Sequence, residues 1–81
     1  MSSHHDNQLI HMTNQIAANL GGGRDEETAA AATCRHLETF WARSMKQRLI
    51  ATLEREDAAL SPLAKRAVIL LAEGLAKRHA G

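Results

Sequence analysis

The sequence predicts an all-α protein, a small bundle of about four short helices, and three observations carry the prediction. Good helix formers (alanine, leucine, glutamate and arginine) dominate, while strand formers are scarce: one valine, no tyrosine, one phenylalanine and one tryptophan. Apolar residues recur at helical spacing in separate stretches. Between those stretches stand helix-stopping or helix-starting residues, most clearly the Gly21, Gly22, Gly23 triplet and the Ser61-Pro62 pair. With 81 residues there is room for a single domain. Residues 1–5 are expected to form a disordered N-terminal tail and residues 6–81 a single helical domain.

The first helix is expected from about Asp6 to Leu20, where Leu9, Met12, Ile16 and Leu20 share a stripe flanked by Ile10 and Ala17. The glycine triplet then ends it, because residues without a Cβ lose most entropy in a helix and readily take left-handed geometry. A second helix begins near Asp25, a side chain able to cap free amides, with Glu26 and Glu27 in the electropositive first turn. It runs to Trp41 with Ala30, Cys34, Leu37 and Trp41 inward and Thr33 and Phe40 at the edge. The next apolar set, Met45, Leu49, Ile50 and Leu53, is rotated from that stripe by roughly 100° if the helix continues. A break near residues 42–44 removes the mismatch, with Ser44 capping a third helix that ends around Glu56 or Asp57. Ser61 and Pro62 open a fourth helix to about Lys77, with an inner stripe of Ala64, Ala67, Val68, Leu71 and Leu75. Ile69 falls outside that stripe, on the side of Lys65.

Of the hydrophobic residues, 15 are alanine, which leaves about twenty large apolar side chains to build a core. That is thin for a monomer of this size, which typically needs a staple or a partner. The single cysteine, Cys34, excludes an internal disulfide and suits a reducing compartment. The opening residues Ser2, Ser3, His4, His5 and Asp6 do not read as a secretory signal, and no run is long and apolar enough for a membrane span, so a cytoplasmic location is expected. A net charge of +1 argues against nucleic acid as a partner.

No constellation for chemistry stands out. The five histidines (His4, His5, His11, His36 and His79) do not follow a metal-ligand spacing. Cys34 and His36 lie two residues apart, about 200° around a helix, so the imidazole is not placed to activate the thiol. The acids Glu26, Glu27, Glu54, Glu56 and Asp57 sit at helix ends among polar neighbours. Phe40 and Trp41 carry more information. As consecutive helical residues they point about 100° apart and do not both fit one small core, so one of them is expected to be available to a partner, next to Arg43, Met45 and Lys46.

Specific strings now become useful: Leu9-Ile10-His11-Met12-Thr13-Asn14-Gln15-Ile16-Ala17, then Phe40-Trp41 preceded by His36, then Met45-Lys46, then Leu60-Ser61-Pro62-Leu63. In order and spacing, from Leu9 to about Ala67, the chain resembles the small delta subunit of NAD-dependent, molybdenum-containing formate dehydrogenases. Arg43 and Ser44 stand where that family commonly has proline and arginine. The resemblance implies a non-catalytic accessory subunit, structural or for assembly, with no cofactor of its own. Its implied partners are the catalytic subunit holding a molybdenum or tungsten centre and the subunits carrying iron-sulfur clusters and flavin. The residues expected at the partner interface are Phe40, Trp41, Arg43, Met45 and Lys46 at the corner between helices, with Asn14, Gln15 and Ile69. The alternative is a free-standing small helical regulator that binds DNA as a homodimer.

Overall fold

The computed structural model describes residues 3–80, and the side chains of residues 5–77. They form four α-helices: α1 (Ser3–Gly21), α2 (Glu26–Phe40), α3 (Arg43–Ala51) and α4 (Pro62–Ala80), with a 3₁₀ turn at Thr52–Glu54 continuing α3. There is no strand among the described residues. The chain is a small helical bundle, as its composition predicts.

α1 begins at Ser3, ahead of the expected Asp6, so residues 3–5 join its first turn instead of a tail, and residues 1–2 lie outside the described residues. Asp6 stabilises this early start in two ways. Its carboxylate lies in the electropositive first turn, and it accepts a hydrogen bond of 3.2 Å from Nε of Arg48 on α3. The buried stripe of α1 is Leu9, Ile10, Thr13 and Ala17, centred on Thr13, which leaves Met12 at the margin and 41% exposed. Thr13 is at home inside because its hydroxyl donates to the carbonyl of Leu9, one turn back, at 2.7 Å. Thr33 and Thr52 are buried in the same way, donating to Ala29 and Leu49. A threonine so satisfied packs like a small apolar residue.

Two of the three glycines in the first turn have separate duties. A Cβ on Gly21 would lie 2.7 Å from the Leu63 side chain, so the end of α1 closes onto the start of α4. Gly23 takes a positive φ of 76°, which reverses the chain towards α2. Asp25 then caps α2, accepting from the Thr28 amide at 3.2 Å and the Thr28 hydroxyl at 2.7 Å.

α2 and α4 form the most extensive helix pair. Ala29, Ala30 and Thr33 of α2 and Ala64 and Ala67 of α4 are small and buried, which allows close approach, and Leu37, Val68 and Leu71 fill the seam beyond them. The two helices run in the same direction, with Arg66 against Glu27 near their starts and Gly74 against Glu38 further along. α3 and the segment after it provide the return. The start of α4 is as expected: Ser61 Oγ accepts from the Ala64 amide at 3.1 Å and Pro62 holds the first helical position. Leu75, expected on the inner stripe, is half-buried.

α3 differs from expectation at both ends. Ala42, not Ser44, occupies the capping position, and it makes no side-chain hydrogen bond. The helix gives way to the 3₁₀ turn at Thr52, short of Glu56. There the Thr52 hydroxyl takes the carbonyl of Leu49, and Arg55 then pairs with Asp57 across the following turn at 3.0 Å. Leu49 joins Leu9, Cys34, Leu37, Trp41, Val68 and Leu71 in a core shared by all four helices.

Candidate partner interface

The corner between α2 and α3 separates the two aromatic residues. At Trp41 the backbone has left the helix (φ −93°, ψ 141°), although its N–H still donates to the Leu37 carbonyl at 3.0 Å. This extended residue swings the indole into the core, where Trp41 is 8% exposed, while Phe40 is left 72% exposed on the last helical turn. The Phe40 ring rests on the His36 imidazole one turn back, centroids 4.8 Å apart and planes tilted by 44°. A ring exposed on this scale lies outside the core of the free chain, and aromatic anchors are enriched at the centres of protein interfaces.

The rest of the corner is cationic. Arg43 is exposed at the first position of α3. Lys46 is half-buried, and its Nζ reaches back to the carbonyl of Glu38 at 3.4 Å, which places its charge at the C-terminal end of α2. Met45 is half-buried against the core. No acidic residue occupies the first turn of α3. Basic side chains there oppose the helix macrodipole, at a cost of roughly 0.3–1 kcal/mol each when exposed.

The other expected interface residues lie elsewhere. Asn14 ties α1 to the segment before α4: its Nδ2 donates to the Ala59 carbonyl at 2.8 Å and its Oδ1 accepts from the Ser61 amide at 2.9 Å. Ile69 is half-buried on α4. Gln15 is exposed at the middle of the outer face of α1, alongside Gln8, His11, Met12, Ala18 and Asn19. That face carries no Lys, Arg, Asp or Glu, because Asp6 is the one such residue in α1 and it pairs with Arg48 and, at 4.0 Å, with Arg55. Depletion of charge is the compositional mark of interface centres. The signal is visible in the sequence as an uncharged run from Asn7 to Gly23.

Among the described residues, no group of three His, Cys, Asp or Glu side chains is placed to hold a metal ion. Cys34 is buried in the core and forms no disulfide. No helix among them is long and apolar enough to cross a membrane. One surface hollow is lined by Leu53, Arg55, Leu60 and Lys65 among others.

Residues 8–68 match the sequence family described as the NADH-dependent formate dehydrogenase delta subunit, FdsD. Neither a curated protein nor a solved structure matches the chain. The matched span takes in most of α1, the whole of α2 and α3 with the corner between them, and the first turns of α4. By fold, motif order and this match, the chain belongs to the family of NADH-dependent formate dehydrogenase delta subunits.

Proposed function

We propose that this chain is a non-catalytic accessory subunit of a cytoplasmic formate dehydrogenase and that it packs on the catalytic subunit through the α2–α3 corner. Formate oxidation at the molybdenum or tungsten centre, and electron transfer through iron-sulfur clusters and flavin to NAD, then belong to the other subunits. The observation that carries this reading is Phe40: a ring 72% exposed at the end of a helix whose next residue is buried. The uncharged outer face of α1 offers further surface to the same large partner.

The test is co-purification of the chain with the tagged catalytic subunit. Truncating an interface anchor of this kind typically costs about 2 kcal/mol or more, roughly thirtyfold in dissociation constant. Phe40→Ala is expected to be lost from the complex, whereas Glu54→Ala, on an exposed polar turn, is retained. Equal recovery of both variants would refute the assignment of the corner. Robust formate oxidation by the purified chain alone would refute the accessory role.

A further inference from the structure

We propose that the outer face of α1 is a self-association surface, on which a second copy of this chain seats antiparallel with the two Gln15 side chains at the two-fold axis. The proposal does not depend on the α2–α3 corner. Gln15 is the centre of this face: the exposed positions around it lie three, four and seven residues away on either side, at Met12 and Ala18, His11 and Asn19, Gln8 and Gly22. Residues so spaced form one continuous stripe along a helix.

In a two-fold interface every contact occurs twice, so a face pairs with itself only if the positions that the axis relates suit each other. With the axis at Gln15 and the helices antiparallel, residues an equal number of steps before and after Gln15 meet. Each of these pairs is matched. The exposed Met12 falls opposite Ala18, a large apolar side chain against a small one. His11 falls opposite Asn19, and a neutral imidazole and an amide each offer a donor and an acceptor. Gln8 falls opposite Gly22, where even an added Cβ would meet nothing within 4 Å, so the glutamine finds open surface. The two Gln15 amides meet each other, and an amide is complementary to its own copy because it donates and accepts at once.

Charge favours the same occupant. From Asn7 to Gly23 the chain has no Lys, Arg, Asp or Glu, so the face has nothing to select a charged partner and nothing to repel its own copy. Antiparallel seating also sets the electropositive start of each α1 against the electronegative end of the other. One helix face is smaller than the roughly 20–30 residues a side of a standard interface, so the dimer is weak and reversible. It is a state of the free chain, which the larger catalytic subunit displaces when it takes up the same face.

The experiment is sedimentation equilibrium of the full chain over a range of concentrations, together with mild oxidative cross-linking of cysteine variants. The wild type is expected to pass from monomer to dimer as concentration rises, and its melting temperature to rise with it. Gln15→Glu keeps the shape of the side chain but sets two carboxylates face to face, and is expected to weaken the dimer about tenfold with an unchanged circular dichroism spectrum. Gln15→Cys reads the register. The axis brings its two thiols together, so oxidation should link two chains, whereas Gln8→Cys faces Gly22 and should not link to itself. Cys34 is buried and does not compete. Phe40→Ala should dimerise as the wild type does. A wild type that stays monomeric, a dimer unaffected by Gln15→Glu, or cysteine variants that link equally or not at all would overturn the proposal. Loss of the dimer in Phe40→Ala would overturn it too, by moving self-association to the corner. Retention of Phe40→Ala by the catalytic subunit is a separate measurement, so the corner assignment and the α1 pairing fail independently.

Discussion

The two ends of α2 are built on opposite plans. At its start, Asp25 caps the helix, Glu26 and Glu27 occupy the first turn, and Glu27 receives a two-pronged hydrogen bond from Arg66 of α4, at 2.9 and 3.3 Å. Each local rule for a helix start is satisfied within the chain. At its far end Phe40 faces solvent, and α3 opens on an alanine followed by an arginine. Several rules are broken together there, over a few residues. The core immediately beneath, Leu37 and Trp41, is well packed, so the exposed ring is not a failure of folding. Clustered departures from local consistency are the expected mark of a functional surface.

The largest effects are expected in the core that joins the two ends. Leu37 is fully buried between the two ends, and Leu37→Ala is expected to destabilise the chain by about 2–5 kcal/mol, with Trp41→Ala at about 3–5 kcal/mol. Urea denaturation followed by circular dichroism measures both. A neutral Trp41→Ala would mean that the indole does not belong to the core.

Phe40→Ala isolates the outer residue of the same corner. Its effect on the stability of the free chain is expected within about 0.5 kcal/mol, in contrast to the roughly 2 kcal/mol lost from association. A large drop in the melting temperature of the free variant would move Phe40 from the interface to the core.

The start of α2 is tested through the turn that delivers it. Gly23→Ala places a Cβ at φ 76° and is expected to cost about 1–2 kcal/mol, read as a lower urea midpoint. Retention in the complex should be unchanged, because this turn precedes the completed end of α2.

The smallest effect is electrostatic. The Arg66 guanidinium holds the Glu27 carboxyl below its ordinary range, and the Thr28 hydroxyl, followed by the Thr28 amide, does the same for Asp25. A carboxyl whose value is depressed by folding contributes stability that is present above its unfolded value and lost as the pH falls through the folded one. The melting temperature should therefore be flat near neutrality and decline below about pH 4, the range in which unfolded carboxylates take up protons. Glu27→Gln should remove part of that decline. Both groups are exposed, so the change is small, and an identical acid limb in the variant would show that the Arg66 pair contributes nothing.

The sequence expresses most clearly what depends on neighbours along the chain. Ser61 and Pro62 mark the start of α4 unambiguously because cap and first-turn chemistry is local, and Asp25 marks α2 for the same reason. The phase change after Trp41 locates the α2–α3 break but not its cap, since Ser44 is the better capping residue by type and Ala42 occupies the position. The buried threonines are illegible by residue class. Their hydroxyls are satisfied only once a helix supplies the carbonyl one turn back or, for Thr52, at the helix end. Met12, apolar and in phase with Leu9, reads as inward, yet the packing of α2 and α4 centres the buried face of α1 on Thr13.

Sequence by itself determined the helical class, the number of helices, the three turns between them to within a few residues, and the delta subunit family, because periodicity, caps and motif order are properties of adjacent residues. Only tertiary structure decided which of two consecutive aromatics went inside. Helical geometry requires Phe40 and Trp41 to point apart, but it does not say which one meets the core. That choice came from the extended backbone at Trp41, which carries the indole towards the space lined by Leu9, Leu37 and Leu49 and leaves the phenylalanine ring on the surface.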